Sequence, residues 1–181
     1  MTDVTRDTDH AAPREGGGVV VRQVHPGETA LVRACGTLAG EVYGGEGLIV
    51  DEEGYLHVVA DAAPRAREAV LLAALDGDRL LATATYATAG NRWAELARPG
   101  EAEMRMLAVA ASARGRGVGP AVTRWCLDRA RGEGCHRFVL SSGPRMTTAH
   151  RMYERMGFTR TPDRDWSPGP GIDLVTYAYA L

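Results

Sequence analysis

The segment from Met106 to Val122 constrains the fold more than any other part of the sequence. It reads MLAVAASARGRGVGPAV, in which an apolar run and small residues precede two arginines among three glycines and the start of a helical pattern. Glycines before a helix let a ligand approach the backbone, and the first helical turn presents unpaired N–H groups with a partial positive charge. The segment therefore predicts a strand, a turn and a helix start that together cradle a phosphate or pyrophosphate.

Two familiar phosphate-binding motifs do not fit this turn. A dinucleotide fingerprint needs G-x-G-x-x-G, but the residue in the last position after Gly115 and Gly117 is Pro120. A P-loop needs a lysine, and all 21 basic residues of the chain are arginine. Pro120 suits the first turn of a helix, where its missing N–H costs nothing. Considered without the neighbouring parts of the sequence, the segment is equally compatible with a glycine turn that only caps a helix.

Length and composition limit the class of protein. A chain of 181 residues with 45% hydrophobic and 24% charged residues is typical of one globular domain. The net charge of −2 gives no overall attraction to nucleic acid or to an anionic membrane. No stretch approaches the roughly 18 apolar residues of a membrane span, and residues 1–18 lack the apolar core of a signal peptide. We therefore expect a cytoplasmic protein that contacts neither nucleic acid nor membrane.

The three cysteines predict neither a disulfide framework nor a metal site. Cys35, Cys126 and Cys135 are odd in number and far apart in the sequence. Cys126 falls among apolar helix positions, where a free cysteine acts as a small hydrophobic residue.

Hydrophobic periodicity predicts the order β α α β β β α β α β β. We expect a disordered tail at 1–18 and one domain over 19–181. The first helix presents a face of Leu31, Ala34, Cys35 and Leu38, and a second helix at 54–68 ends near Pro64. Two strands flank Asp76-Gly77-Asp78, a hairpin signal. Early hairpins followed by β-α-β-α predict an α/β fold with a mixed sheet.

The flanks of the glycine turn resemble those of the GNAT superfamily of acyl-CoA-dependent N-acyltransferases. The family's pyrophosphate motif, Gln/Arg-x-x-Gly-x-Gly/Ala, matches residues 114–119, MLAV matches its preceding strand, and AHRMYERMGF matches its late helix. The resemblance is clear over residues 102–160, weaker elsewhere and absent from the first 18. It implies a central, mixed but mostly antiparallel sheet flanked by helices, acetyl-CoA as cosubstrate, and no metal.

The resemblance also implies which residues bind the cosubstrate. The pyrophosphate would lie on the backbone of the turn, formed by Arg114, Gly115, Arg116, Gly117, Val118 and Gly119. The pantetheine arm would pair with the backbone of Leu107, Ala108 and Val109, where an N–H can also polarise the thioester carbonyl. Alternatively, Leu107 and Val109 are only core residues.

The family's usual acid is a tyrosine four residues before a Gly-Phe pair, and here that residue is Tyr153. A phenol is protonated at pH 7 and can donate a proton to the leaving thiolate. The alternative is a tyrosine that only packs, because Tyr153 shares a helix face with Ala149 and Met152.

Glu103 matches the strand glutamate that serves as base in the histone acetyltransferase branch of the family. A carboxylate there can take the amine proton, directly or through water. Period-two alternation places Glu103 on the same face as Arg105, so a surface ion pair is the alternative. Glu95 and Glu101 are competing carboxylates.

One position departs from the family pattern. Many members have an asparagine that contacts CoA seven residues before the tyrosine, where this chain has Met146. A hydroxyl of Thr147 or Thr148 could replace that contact, but capping of the helix is the preferred interpretation.

The acceptor side is the least typical part of the chain. Acidic residues near the first helix suit a cationic amine, although a solvated acidic loop is the preferred interpretation; they are Glu41, Glu46, Asp51, Glu52 and Glu53. Tyr43, Tyr55 and Trp166 are candidate walls of a pocket. The acceptor remains a small-molecule or peptide amine of open identity, and the family suggests a homodimer. A non-catalytic acyl-CoA-binding module is the alternative function.

Overall fold

The structure, a computed structural model, describes residues 18–45, 54–169 and 172–181. Residues 1–17 of the predicted tail at 1–18, and the acidic residues Glu46 and 51–53, lie outside the described residues, so these predictions stay untested. The strands are β1 Val20–Val24, β2 Val70–Asp76, β3 Arg79–Thr88, β4 Glu101–Val109, β5 Arg137–Ser142, β6 Thr159–Arg160, β7 Trp166–Gly169 and β8 Ile172–Ala180. The helices are α1 Thr29–Gly45, α2 Tyr55–Ala60, α3 Ala63–Glu68, α4 Val118–Gly132 and α5 Thr147–Arg155. Short 3₁₀ turns cover Ala111–Ala113 and Pro162–Arg164.

The strands form one mixed sheet in the order β1-β2-β3-β4-β5-β8-β6, with β7 paired to β8. Every pairing is antiparallel except that between β4 and β5, which is parallel. The predicted α/β class, with a mostly antiparallel mixed sheet flanked by helices, is confirmed. The hairpin at Asp76-Gly77-Asp78 is also confirmed: Asp76 pairs with Arg79, and Gly77 has the positive φ of 58° that such a turn requires.

Helices cover both faces of the sheet. A large cluster of buried residues lies under α4 and α5 and includes Val118, Val122, Cys126 and Tyr153. Two smaller clusters lie under α1, α2 and α3 on the opposite face. Cys126 is fully buried, as the sequence predicts, and all three cysteines are free. In the described parts of the chain, no helix combines the length and the apolarity needed to cross a bilayer.

The predicted inner face of α1 is wrong by about one residue. The buried positions are Val32, Cys35, Gly36 and Ala39, whereas Leu31 and Leu38 are only half-buried. Gly36 explains the rotation, because a Cβ there would clash with the carbonyl of Ala60 at the end of α2. The close approach of α2 thus decides which side of α1 faces inward.

The region 54–68 forms two short helices rather than one that ends near Pro64. The first ends at Ala60, and Asp61 accepts a hydrogen bond from the Ala63 N–H at 3.1 Å as the next helix begins. Pro64 lies in the first turn of α3, where a missing N–H is tolerated. The proline therefore starts a helix here instead of ending one.

Candidate active site

The central feature of the site is the separation of β4 from β5. Glu101–Met104 pairs with Arg137–Leu140, and no pairing between the two strands continues beyond these positions in the described residues. A bulge in β4 accompanies the separation: Thr83 pairs with Ala108 but Thr85 pairs with Arg105, so β4 carries one extra residue. Met106, in the bulge, has a φ of 54°. The second half of β4 therefore has main-chain groups that β5 does not satisfy.

A cavity of about 510 Å³ occupies this opening. Its walls come from the end of α1, the second half of β4, the glycine turn with the start of α4, the end of β5, and α5. Of the predicted site residues, eight line it, namely Leu107, Val109, Arg114, Gly115, Gly117, Val118, Gly119 and Tyr153. Ala108, Arg116 and Glu103 are not among the described residues that form its walls.

The glycine turn presents bare backbone to the cavity. Gly115 and Gly117 have φ values of 74° and 77°, which are left-handed, and a Cβ on either would meet nothing within 4 Å. Gly117 caps α4, whose helical residues begin at Val118. The N–H groups of Val118 and Gly119 belong to the first turn and have no intrahelical partner. The turn therefore combines open space, unpaired donors and the positive end of a helix dipole, as an anion site requires.

Arginines add positive charge to the walls of the cavity. Arg114 lines it, whereas Arg116 reaches away to the carboxylate of Asp76 at 3.4 Å. Arg145 and Arg155 also line the cavity, and neither was predicted from the sequence. Arg145 follows β5 and Arg155 ends α5, so only the packing of α5 against the opening brings both to the cavity. No local motif marks them.

Tyr153 both packs and lines the cavity. It is 4% exposed, and its ring lies 5.6 Å from that of Phe158 and 5.9 Å from that of Tyr177. Burial raises the pKa of Tyr153 above its ordinary value, so the phenol is protonated at neutral pH. The two interpretations of this residue are therefore compatible.

Tyr43 forms part of the opposite wall. Its hydroxyl donates to the carbonyl oxygen of Leu107 at 3.4 Å, and burial raises its pKa. Of the other aromatic residues expected to form a wall, Tyr55 instead accepts a hydrogen bond from Arg105 at 3.4 Å. Trp166 lies in β7 and is not among the described lining residues.

Glu103 is fully buried, which excludes the surface ion pair considered as its alternative role. Its Oε2 accepts hydrogen bonds from the backbone N–H groups of Leu96 at 2.7 Å and Ala97 at 3.0 Å. Its Oε1 lies 3.8 Å from Nε of Arg105 and has no hydrogen-bond donor among the described residues. Burial raises the pKa of Glu103 despite these contacts. The structure thus places Glu103 beside the cavity rather than in its wall with Tyr153.

The competing carboxylates have other partners. Glu101 accepts two hydrogen bonds from Arg164, at 3.1 and 2.9 Å, and one from the N–H of Arg98 at 3.0 Å. Glu95 forms an ion pair with Arg105 at 2.9 Å. Both interactions are structural, whereas Oε1 of Glu103 is buried and has no hydrogen-bond donor among the described residues.

The preferred interpretation of Thr147 and Thr148, that one of them caps α5, is wrong. The N-cap residue of α5 is Met146, and no side chain makes a capping hydrogen bond there. Thr147 and Thr148 line the cavity, as Met146 does. Among the described residues, no group of three or more His, Cys, Asp or Glu side chains is arranged to hold a metal ion.

Solved structures share this fold. An IAA acetyltransferase from Bacillus cereus ATCC 14579 is 16% identical, with a TM-score of 0.62 over 91% of this chain and 100% of that one. A ribosomal-protein-alanine N-acetyltransferase from Brucella melitensis is 19% identical, with a TM-score of 0.60 over 90% of this chain and 99% of that one. The PaiA N-acetyltransferase from Thermoplasma acidophilum in complex with coenzyme A is 11% identical, with a TM-score of 0.64 over 91% of this chain and 99% of that one.

At sequence level, no curated protein matches the chain. The model of the acetyltransferase (GNAT) family matches residues 41–158, which is more than half of the chain. This match includes β4, the glycine turn, α4 and Tyr153. The chain therefore belongs to the GNAT acetyltransferase family.

Proposed function

We propose that the protein transfers an acetyl group from acetyl-CoA to a primary amine by direct attack of the amine on the thioester. The observation that carries the proposal is the cavity between the separated strands, with an anion-binding turn at one end and a protonated tyrosine in its wall. Membership of an acetyltransferase family supports acyl transfer in general. The identity of the acceptor is not part of the proposal.

The cosubstrate would lie along the opening between β4 and β5. Its pyrophosphate accepts hydrogen bonds from the backbone of the turn at 114–119, where Arg114 adds charge. The pantetheine arm pairs with Leu107–Val109 on the edge that β5 leaves open, beside the Tyr43 hydroxyl on the Leu107 carbonyl, and passes apolar walls such as Met152. Because β5 leaves this part of β4 unpaired, the arm takes the place of a neighbouring strand.

The chemistry needs an acid for the leaving group and a base for the amine. The amine nitrogen forms a bond to the thioester carbon, and the carbon–sulfur bond then breaks. Tyr153 donates its proton to the departing thiolate. Glu103 takes the amine proton through intervening water, a role that its raised pKa and the absence of a hydrogen-bond donor to its Oε1 favour. A backbone N–H of β4 stabilises the oxyanion.

Charge reversal at Arg114 tests the phosphate cradle. We expect Arg114→Glu to raise the Kd for CoA by about tenfold or more, the effect of replacing a charge-assisted contact with repulsion. Isothermal titration calorimetry measures this change directly. Arg67→Glu, an exposed position on α3, carries the same charge change and should leave the Kd unaltered. Equal affinities for the two variants would remove Arg114 from the cradle.

A panel of primary amines tests the activity itself. Each amine is mixed with the protein and acetyl-CoA, and release of free thiol is followed. Release that depends on one class of amine would establish the transfer and identify the acceptor class. Tight binding of CoA without release for any amine would instead support the non-catalytic acyl-CoA-binding module.

A further inference from the structure

A serine and a histidine form a pair at the β5 side of the cavity. Ser142 ends β5, is 5% exposed and lines the cavity. Its Oγ lies 3.2 Å from Nε2 of His150, which is in α5. The ring of His150 packs against that of Tyr177 at 5.5 Å. The histidine is thus held from two sides, and the hydroxyl of Ser142 is held by the histidine.

The direction of this hydrogen bond follows from the state of the ring. Burial lowers the pKa of His150, and the net effect of its surroundings keeps the ring neutral at pH 7. A neutral imidazole has one donor and one acceptor nitrogen. In the tautomer that carries its proton on Nδ1, Nε2 is the acceptor. In that tautomer Ser142 donates its proton to His150, and the lone pairs of its Oγ remain available to the cavity.

Ser142 lies on the part of β5 that has already separated from β4. Leu140 is the last residue of β5 that pairs with β4, and Ser142 lies two residues further on the same face of the sheet. It stands where β4 has already moved away through its bulge at Met106. A chain that fills the opening would have the backbone of β4 on one side and the oxygen of Ser142 on the other.

We propose that Ser142 accepts a hydrogen bond from an amide N–H of the pantetheine arm of acyl-CoA, and that His150 positions its hydroxyl for this contact. The inference rests on the proposed function, since it concerns the same cavity. It adds a side-chain contact from β5 to a cosubstrate otherwise bound by backbone groups. His150 is a positioning residue, because it acts through Ser142.

The pair makes this contact sensitive to pH. When His150 is protonated, Nε2 donates to Oγ, and the Ser142 hydroxyl must turn its proton towards the cavity. Its proton then competes with the one remaining lone pair for the position facing the amide N–H, and the contact is weakened. Besides Tyr177, the charged groups near His150 are Glu154, which raises its pKa, and Arg160, which lowers it. CoA affinity should therefore fall as the pH decreases through the lowered pKa of His150.

The first experiment compares two ligands by calorimetry at neutral pH. CoA contains the pantetheine arm, whereas adenosine 3′,5′-bisphosphate contains only the nucleotide end. We expect Ser142→Ala to raise the Kd for CoA by about tenfold, the effect of one hydrogen bond, and to leave that for the bisphosphate unchanged. Ser167→Ala removes an exposed hydroxyl on β7 and serves as the matched control. Equal losses for both ligands would show a structural defect and overturn the proposal.

A double-mutant cycle tests the role of His150. His150→Phe keeps a ring against Tyr177 but cannot hold the hydroxyl, so we expect a several-fold rise in the Kd for CoA. Because His150 acts through Ser142, the double variant should bind as weakly as Ser142→Ala alone, and both single variants should lose the pH dependence of binding. Additive effects would overturn the positioning role.

The outcomes separate this proposal from the proposed function. If the unmodified protein does not bind CoA, the proposed function fails and this inference fails with it. If the unmodified protein and Ser142→Ala bind CoA equally well, only the contact from Ser142 is refuted.

Discussion

Replacing Tyr153 with phenylalanine is expected to lower kcat by about a hundredfold, within the range of a lost general acid. The Kd for CoA should change by less than about twofold, since the ring still packs against Phe158 and Tyr177. The thiolate must then leave without a proton from the enzyme, so chemistry slows while binding persists. Steady-state rates of thiol release and calorimetry with CoA measure the two quantities separately.

Tyr177→Phe is the matched control for this change. Tyr177 lies 5.9 Å from Tyr153 between ring centres, and its hydroxyl donates to Glu154 at 3.4 Å. Loss of this hydroxyl should leave kcat within about twofold. Because burial raises the pKa of Tyr153, ionisation of the phenol should not limit activity at mildly alkaline pH. An unchanged kcat in Tyr153→Phe would show that another group protonates the thiolate.

The largest expected effect on stability comes from Arg164→Ala, at about 3–5 kcal/mol of unfolding free energy. Arg164 and Glu101 are both buried, with side chains 6% and 4% exposed, and form two hydrogen bonds. Arg164 also donates to the carbonyl of Leu96 at 2.6 Å. Removing the arginine leaves a buried carboxylate short of donors. Urea unfolding of the variant and the unmodified protein measures the difference.

The buried pair of Arg164 and Glu101 also makes the stability of the protein depend on pH. Burial alone would raise the pKa of Glu101, but hydrogen bonds from Arg164 and the Arg98 N–H outweigh burial and lower it. A lowered pKa gives stability that is present above the unfolded-state pKa and is lost as the pH falls through the folded-state value. The unmodified protein should lose this contribution in acid, and Arg164→Ala should show much less of it.

A surface pair provides the control for Arg164. Arg131 and Asp128 form an ion pair at 3.0 Å with side chains 44% and 76% exposed. We expect Arg131→Ala to cost less than about 1 kcal/mol, because water screens such pairs. Similar losses for the two arginine variants would contradict a special role for the buried pair.

The parts of the fold that the sequence predicted are those with strong local signals. The turn at Gly115 and Gly117 requires a left-handed backbone, which glycine supplies, and the Asp-Gly hairpin has the same basis. The apolar spacing of α4 and α5 identified both helices, and Gly157 ends α5 with a φ of 94°. These signals depend on a few neighbouring residues, so they can be read without knowledge of tertiary contacts.

The remaining features depend on distant parts of the chain. Gly36 decides the inner face of α1 only because α2 approaches it, and the bulge at Met106 is a property of the pairing with β3. Alternation along β4 placed Glu103 and Arg105 on one face but gave no sign that the loop before β4 covers Glu103 completely. Ser142 and His150 meet through the packing of α5 on β5. No spacing in the sequence encodes that contact.

The short pairing between β4 and β5 also affects how firmly the two halves of the sheet are connected. Four residue pairs, Glu101–Met104 with Arg137–Leu140, join the strands that precede the opening in the chain to those that follow it. A cosubstrate bound beyond these pairs would extend the contact between β4 and β5 and so connect the two halves of the sheet over a greater length. The cosubstrate would then add to the contact between the two halves of the sheet, which one buried core already spans, so a reactant would also contribute to the stability of the fold that binds it.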